Sequence, residues 1–346
     1  MSSDTTELVA QCLCKTHTFK SSVPSSSLPL SATCCHCDSC RHVTGAMFLV
    51  DVEWPNQDED LSALHAYDFS PNLREFSCQS CGTRLFCKGS KPGSTLGVIT
   101  GTLQNEVNLV RYDKHIYVGD TRDGGASMFM RKSHPDATPS KRFVEGSNSK
   151  ELPADWPSNF DLPDPEAQVT PEFTPLYCHC RGVNLLLKNA TDLKDRAPDK
   201  LPFYHPGTTA ETFEHLPAST FDLKAAVASE NKDPRLGTLE FYQSSPDVER
   251  YFCSKCAAVV FFAVHDRPNM VDVAPGLLDH PSGARAEGLL HWNFGTMGRL
   301  EDVEGGWREK LGKGVREEAE QWRIERGYPK TAGRVRREAG NTKMQL

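Results

Sequence analysis

Gln11-Cys12-Leu13-Cys14, together with Phe76-Ser77-Cys78-Gln79-Ser80-Cys81-Gly82, decides the reading of this chain. In an extended segment, residues i and i+2 project from the same face. Cys12 and Cys14 therefore present two thiols side by side. The C-x-x-C turn offers two more, and Gly82 lets the backbone turn tightly after the second. Four thiolates make the donor set of a closed structural zinc site. The expected shell is Cys12, Cys14, Cys78 and Cys81. Cys14 and Cys78 lie 64 positions apart, so such an ion ties the two ends of a domain together.

The pattern then recurs. Tyr177-Cys178-His179-Cys180 and Phe252-Cys253-Ser254-Lys255-Cys256 repeat both halves of it, and the same logic predicts a second shell of Cys178, Cys180, Cys253 and Cys256. Between its two pairs the first copy also carries Cys35-His36-Cys37-Asp38-Ser39-Cys40, which the second copy lacks. The middle of the second copy holds His205 and His215 instead, which read as solvated or packed side chains. Cys35, Cys37 and Cys40 are three thiolates without a fourth protein donor. That is the arrangement of a catalytic zinc, whose fourth position takes water or substrate. If 35–37 is extended, His36 and Cys34 point away from the trio. Two alternatives stay open: His36 or Cys34 closes the shell, or the three are redox thiols.

Charge narrows the chemistry. Three thiolates and Zn²⁺ sum to −1, a weaker Lewis acid than zinc held by neutral imidazoles. A soft sulfur ligand suits it better than hydroxide. This points to a thiol substrate and to a C–S bond made or broken.

Composition agrees. The chain has 346 residues, a length that predicts two domains. Its 39 basic and 46 acidic residues give a net charge of −7, which argues against nucleic acid as the main partner. An odd count of 13 cysteines in so long a chain predicts metal sites rather than a disulfide framework. No apolar run is long enough to span a bilayer, and the polar N-terminus shows no secretory signal, so a soluble cytoplasmic protein is expected. Short β-rich runs bounded by Gly, Asn and Asp predict strands at Arg84–Cys87, Leu96–Leu103, Val107–Val118, Gly237–Tyr242 and Ala257–Val264. Asp123-Gly124-Gly125 signals a turn. Ser133–Pro171, rich in Pro, Ser and charge, reads as a linker that can also fold locally around Phe143, Trp156 and Phe160. Over Val303–Arg326, Trp307, Leu311, Val315, Ala319 and Trp322 recur at helical spacing, predicting a helix that packs its tryptophans on the second copy.

With Arg41-His42-Val43-Thr44-Gly45 after the trio and His115-Ile116-Tyr117-Val118 late in the first copy, the chain resembles the glutathione-dependent formaldehyde-activating enzyme family, which includes centromere protein V-like proteins. The resemblance covers about 8–130 well and 174–300 in part. It implies a mainly β fold: two tandem zinc-binding β-tent domains, here followed by a C-terminal helix. The implied division is a complete module at 8–130, a linker at 131–173, a degenerate module at 174–300, and a helix with a basic tail at 301–346. It also implies a carbon–sulfur lyase acting on a small thiol adduct, with S-(hydroxymethyl)glutathione formed from formaldehyde and glutathione. On this match Cys12, Cys14, Cys78 and Cys81 are structural ligands, and Cys35, Cys37 and Cys40 hold the catalytic zinc. Three zinc ions per chain are expected, two structural and one catalytic.

The sequence departs from the family pattern at Lys15 and Ala257, where glycine is usual. Arg41, Arg84, Lys88 and Arg111 lie near the motifs as cations for a glutathione carboxylate, and His36 and His42 as proton shuttles. Two other functions compete. One is a zinc-stabilised protein- or chromatin-binding module using the basic tail around Lys330, Arg334, Arg336, Arg337 and Lys343. The other is a thiol redox enzyme on a similar scaffold, like the methionine-R-sulfoxide reductases. Metal content separates these from the lyase.

Overall fold

The computed structural model describes residues 4–132, 138–153, 156–157, 171–188, 220–268, 271–290 and 292–339. His205, His215, Phe160 and Lys343 lie outside them.

The first module opens with an antiparallel hairpin of β1 (Thr5–Gln11) and β2 (Thr18–Pro24). Next come β3 (Leu30–Cys35), the short helix α1 (Asp38–Thr44) and β4 (Leu49–Glu53). An antiparallel meander follows: β5 (His65–Ser70), β6 (Leu73–Ser77), β7 (Arg84–Gly89) and β8 (Leu96–Ile99). With β9 (Val110–Ile116) and β10 (Lys141–Arg142), β3 through β8 form one eight-stranded sheet in the order β10-β9-β3-β4-β8-β7-β6-β5. β3 and β9 run parallel, which sets Cys34 opposite His115 and Cys35 opposite Ile116. The core of this module includes Leu8, Trp54, Leu85, Phe86, Leu96 and Leu109.

Among its described residues the second copy also has a hairpin and an antiparallel meander. A hairpin of β11 (Phe173–Tyr177) and β12 (Asn184–Lys188) precedes the helix α2 (Thr220–Ala228). A four-stranded antiparallel meander then runs through β13 (Leu239–Ser245), β14 (Val248–Cys253), β15 (Val259–Val264) and β16 (Val271–Val273). The correspondence reaches single hydrogen bonds. Cys78 N–H donates to Thr83 O and Gly82 N–H to Cys78 O, each at 2.9 Å; Cys253 N–H donates to Ala258 O at 2.9 Å and Ala257 N–H to Cys253 O at 2.8 Å. Each meander also breaks register just before its C-x-x-C, at Phe76/Ser77 and at Tyr251/Phe252.

The departures from glycine have a structural counterpart. Lys15, Arg181 and Ala257 all adopt left-handed backbone, with φ of 63°, 57° and 56°. Each closes the tight loop after a cysteine pair, in the conformation that Gly82 takes at φ 68°. A side chain there costs about 1 kcal/mol, which the loop's hydrogen bonds to the cysteine backbone offset.

Within 131–173 the described residues include local structure. Lys141–Arg142 adds a parallel edge strand to β9, and the buried Arg142 donates to the carbonyls of Pro153 (2.7 Å) and Trp156 (2.8 Å). One expectation needs correction in part. The C-terminal helix α3 (Trp307–Glu325), followed by α4 (Ala332–Glu338), lays only Trp322, and not Trp307, against residues of the second copy. Trp307 joins the first module's core and donates from Nε1 to Gln104 O at 3.1 Å. Trp322 packs with Met128, Phe129 and Phe294. Periodicity shows that a helix has an apolar face but not which surface that face meets.

On β4, burial pushes the Asp51 carboxyl up to about 6. Its pKa in the folded protein therefore exceeds the unfolded value, and the unfolded chain ionises first. Stability is lost as pH rises through the window from 3.8 to about 6. Asp51→Asn should therefore be the more stable protein at pH 7.5, by about 1–2 kcal/mol, with the gain shrinking toward pH 4. Denaturant melts of both proteins across that range check this; a gain independent of pH would contradict it.

Candidate metal centre and active site

The structure gathers the cysteines into three groups, in each of which the sulfurs lie within 4.8 Å of one another: Cys12, Cys14, Cys78 and Cys81; Cys178, Cys180, Cys253 and Cys256; and Cys35, Cys37 and Cys40. All 13 cysteines are free thiols. The sulfur separations are 3.5 Å for Cys12–Cys14, 3.6 Å for Cys14–Cys78, 3.6 Å for Cys178–Cys180 and 3.5 Å for Cys180–Cys253. A tetrahedral ion with bonds of about 2.3 Å to sulfur needs edges of about 3.8 Å, whereas a disulfide needs about 2 Å. The donor sets thus fit a four-thiolate ion and not a covalent bridge.

Backbone amides support thiolates in these groups. His17 N–H donates to Cys12 Sγ at 3.3 Å, Val183 N–H to Cys178 Sγ at 3.3 Å, and Cys256 N–H to Cys253 Sγ at 3.4 Å. Donation to a charged sulfur favours the charged form. The local fold explains the placement. Each C-x-C lies at the end of the first hairpin strand, and each C-x-x-C at the turn between the second and third meander strands. One ion in each group would therefore pin a hairpin to its meander.

The three-cysteine group is built differently. β3 ends at Cys35, and Cys37 is the N-cap of α1, its sulfur accepting from the Cys40 N–H at 3.3 Å. Cys35 and Cys37 sulfurs lie 3.5 Å apart. Sulfur contacts with Cys35 and then Cys40, the Cys40 amide and the Arg41 charge all hold the Cys37 thiol well below its usual range. Cys35 is pushed up by its contact with Cys37, so negative charge concentrates on Cys37.

Among the described residues no histidine and no fourth cysteine joins this group. Cys34 is fully buried in the first module's core, where burial drives its thiol far up. His36 is also fully buried on that side, with Nε2 2.9 Å from Nδ1 of His115. His115 Nε2 lies 2.9 Å from Met130 O, which can only accept, so His115 carries its proton on Nε2. His36 then donates from Nε2, and its Nδ1 has no partner among the described residues. Burial lowers both imidazoles, His115 to about 4, so the pair is neutral. The alternation that turns His36 away from the trio was visible in the sequence; its partner His115 was not.

The cations sort themselves. Arg111 pairs with Asp113, and Lys88 donates to Gln57 O at 3.1 Å. Arg84 is buried, paired with Glu75, and donates to the carbonyls of Val43 and Cys256. These three are committed elsewhere. Arg41 is buried on α1 and pairs with Asp38; its Nε and Nη1 have no partner among the described residues. His42 donates from Nδ1 to Tyr177 O at 2.7 Å, a packing role. In the basic tail, Lys330 and Arg334 pair with Glu338, and Arg334 also with Glu320.

The fold and these groups define a class: a β-rich, cysteine-clustered module with two closed thiol quartets and one open trio at a strand–helix junction. Residues 7–120 match the family model described as glutathione-dependent formaldehyde-activating enzyme. No curated protein and no solved structure matches the chain. No helix among the described residues is long and apolar enough to cross a membrane.

Proposed function

We propose that the chain is a zinc-dependent carbon–sulfur lyase that makes or breaks a hydroxymethyl adduct of a small thiol, of the S-(hydroxymethyl)glutathione type. The supporting observation is the asymmetry of the three groups. Two are complete tetrahedral donor sets, whereas Cys35, Cys37 and Cys40 present three sulfurs with His36 and Cys34 turned into the core. A zinc ion there would supply a Lewis-acid position for a sulfur or oxygen from outside the chain. In the forward direction the thiol sulfur bonds to the aldehyde carbon, the C=O π pair moves to oxygen, and the thiol proton ends on that oxygen. Cys37, held as thiolate at the α1 N-cap, anchors the trio. Arg41, with two free guanidinium nitrogens beside it, is the candidate cation for a carboxylate of the thiol. Cytoplasmic location and three zinc ions per chain belong to this reading.

The test pairs metal counting with exchange NMR. The full chain should hold three zinc ions and speed exchange between ¹³C-formaldehyde and its glutathione adduct well above the spontaneous rate. Spontaneous exchange in the presence of three bound ions would reject the lyase. Two bound ions would favour the thiol redox reading.

A further inference from the structure

The second module lacks its own trio, yet it is packed against the first module's. The helix α1 has only seven residues, too few to persist alone, so its pose depends on packing. Its buried residues are Cys40, Arg41, His42 and Val43. Val43 lies in the hydrophobic core of the second module, among Leu176, Tyr251, Val260 and Leu277. The His42 ring stacks on Tyr177 at 4.1 Å and 2°, besides donating to the Tyr177 carbonyl. His179 N–H donates back to His42 O at 2.9 Å. Arg84 joins Val43 O to Cys256 O. Just past the helix, Gly276 N–H donates to Gly45 O at 2.9 Å, and a Cβ on Gly45 would collide with the Val259 carbonyl.

The residues that grip α1 adjoin the second thiol quartet. Tyr177 precedes Cys178, His179 lies between Cys178 and Cys180, and Cys256 is itself a member. His179 is fixed in turn by the Tyr67 hydroxyl at 2.7 Å and by stacking on Phe69 at 4.6 Å. α1 carries Cys40 and begins at Cys37, so its pose sets where two of the three sulfurs stand.

We propose that the second module is the seat of the open site: Tyr177 and His179 act as positioning residues that lock α1 through His42, so that the Cys178/Cys180/Cys253/Cys256 group governs how firmly Cys35, Cys37 and Cys40 hold their ion. This rests on the reading of the trio as a metal site. Groups that orient ligands from outside the shell typically shift metal affinity 10- to 100-fold.

The experiment follows zinc leaving the fully loaded chain into a chromogenic chelator. In wild type, one ion should leave faster than the other two. In His42→Ala that fast phase should speed up by about tenfold or more while the two slow phases hold, which also reports that both modules remain folded. His42→Asn restores a donor to the Tyr177 carbonyl and should recover part of the loss. Tyr177→Leu removes the stack, keeps the carbonyl, and should give a smaller acceleration; it decides the matter if His42→Ala disturbs all three phases. An unchanged fast phase in both His42→Ala and Tyr177→Leu overturns the proposal. A wild-type chain holding only two ions overturns it together with the metal reading of the trio. Three ions without lyase turnover would sink the proposed reaction alone, and the release rates would still decide this inference.

Discussion

Cys37→Ser is expected to reduce adduct formation to the spontaneous rate, a loss of about 10³-fold or more, because the Lewis-acid position goes with the sulfur and is worth several kcal/mol. The fold should survive, for a local reason. Cys37 is the N-cap of α1, accepting from the Cys40 amide. Serine is among the preferred N-caps, so its oxygen can take over that hydrogen bond and leave the helix start intact. The two thiol quartets share no atom with the trio. The variant should therefore keep two of three zinc ions and melt within about 5 °C of wild type, a shift of the size that about 1 kcal/mol gives. Turnover persisting in Cys37→Ser would remove the trio from the chemistry. Loss of turnover with all three ions retained would put its role elsewhere than in holding metal.

What the sequence disclosed about this site, and what it hid, follow from the range of the forces involved. The cysteine spacing already implied which thiols meet, although each C-x-C lies in the turn just past its strand rather than in extended chain, because close pairs of cysteines at turns are local geometries and their duplication cross-checked the pairing. The strand runs near Arg84, Leu96 and Val110 were likewise local and appeared within a few residues of expectation. Contacts set by tertiary packing left no such trace. Nothing in the sequence pairs Glu75 with Arg84, or seats Val43 of the first module in the core of the second. Arg84 looked like a free cation near a motif, yet in the structure it is a buried tie between two backbone carbonyls. Left-handed backbone at Lys15, Arg181 and Ala257 was hidden for another reason. Glycine usually announces that conformation, and here the hydrogen-bonded loop imposes it on residues that do not.

Cys78→Ser should be the most destabilising single change in the first module. Cys78 is fully buried, its sulfur 3.6 Å from that of Cys14, and its group joins the β1–β2 hairpin to the turn between β6 and β7. With a metal bound, folding and binding are one equilibrium, and structural zinc contributes on the order of 10 kcal/mol to small domains. Removing one thiolate leaves three sulfurs and a buried hydroxyl around a weakened site. A loss of about 3–5 kcal/mol is a large share of the roughly 5–15 kcal/mol that ordinary domains possess, so the melting temperature should fall by more than about 10 °C. The control is Cys34→Ser, the same exchange at an equally buried cysteine outside all three groups. That change only buries a hydroxyl and should cost about 1–3 kcal/mol. Addition of a chelator should lower the wild-type melt toward that of Cys78→Ser and should lower Cys34→Ser by the same increment as wild type. Equal melts for Cys78→Ser and Cys34→Ser would mean that the quartet is packed thiol rather than a metal clasp.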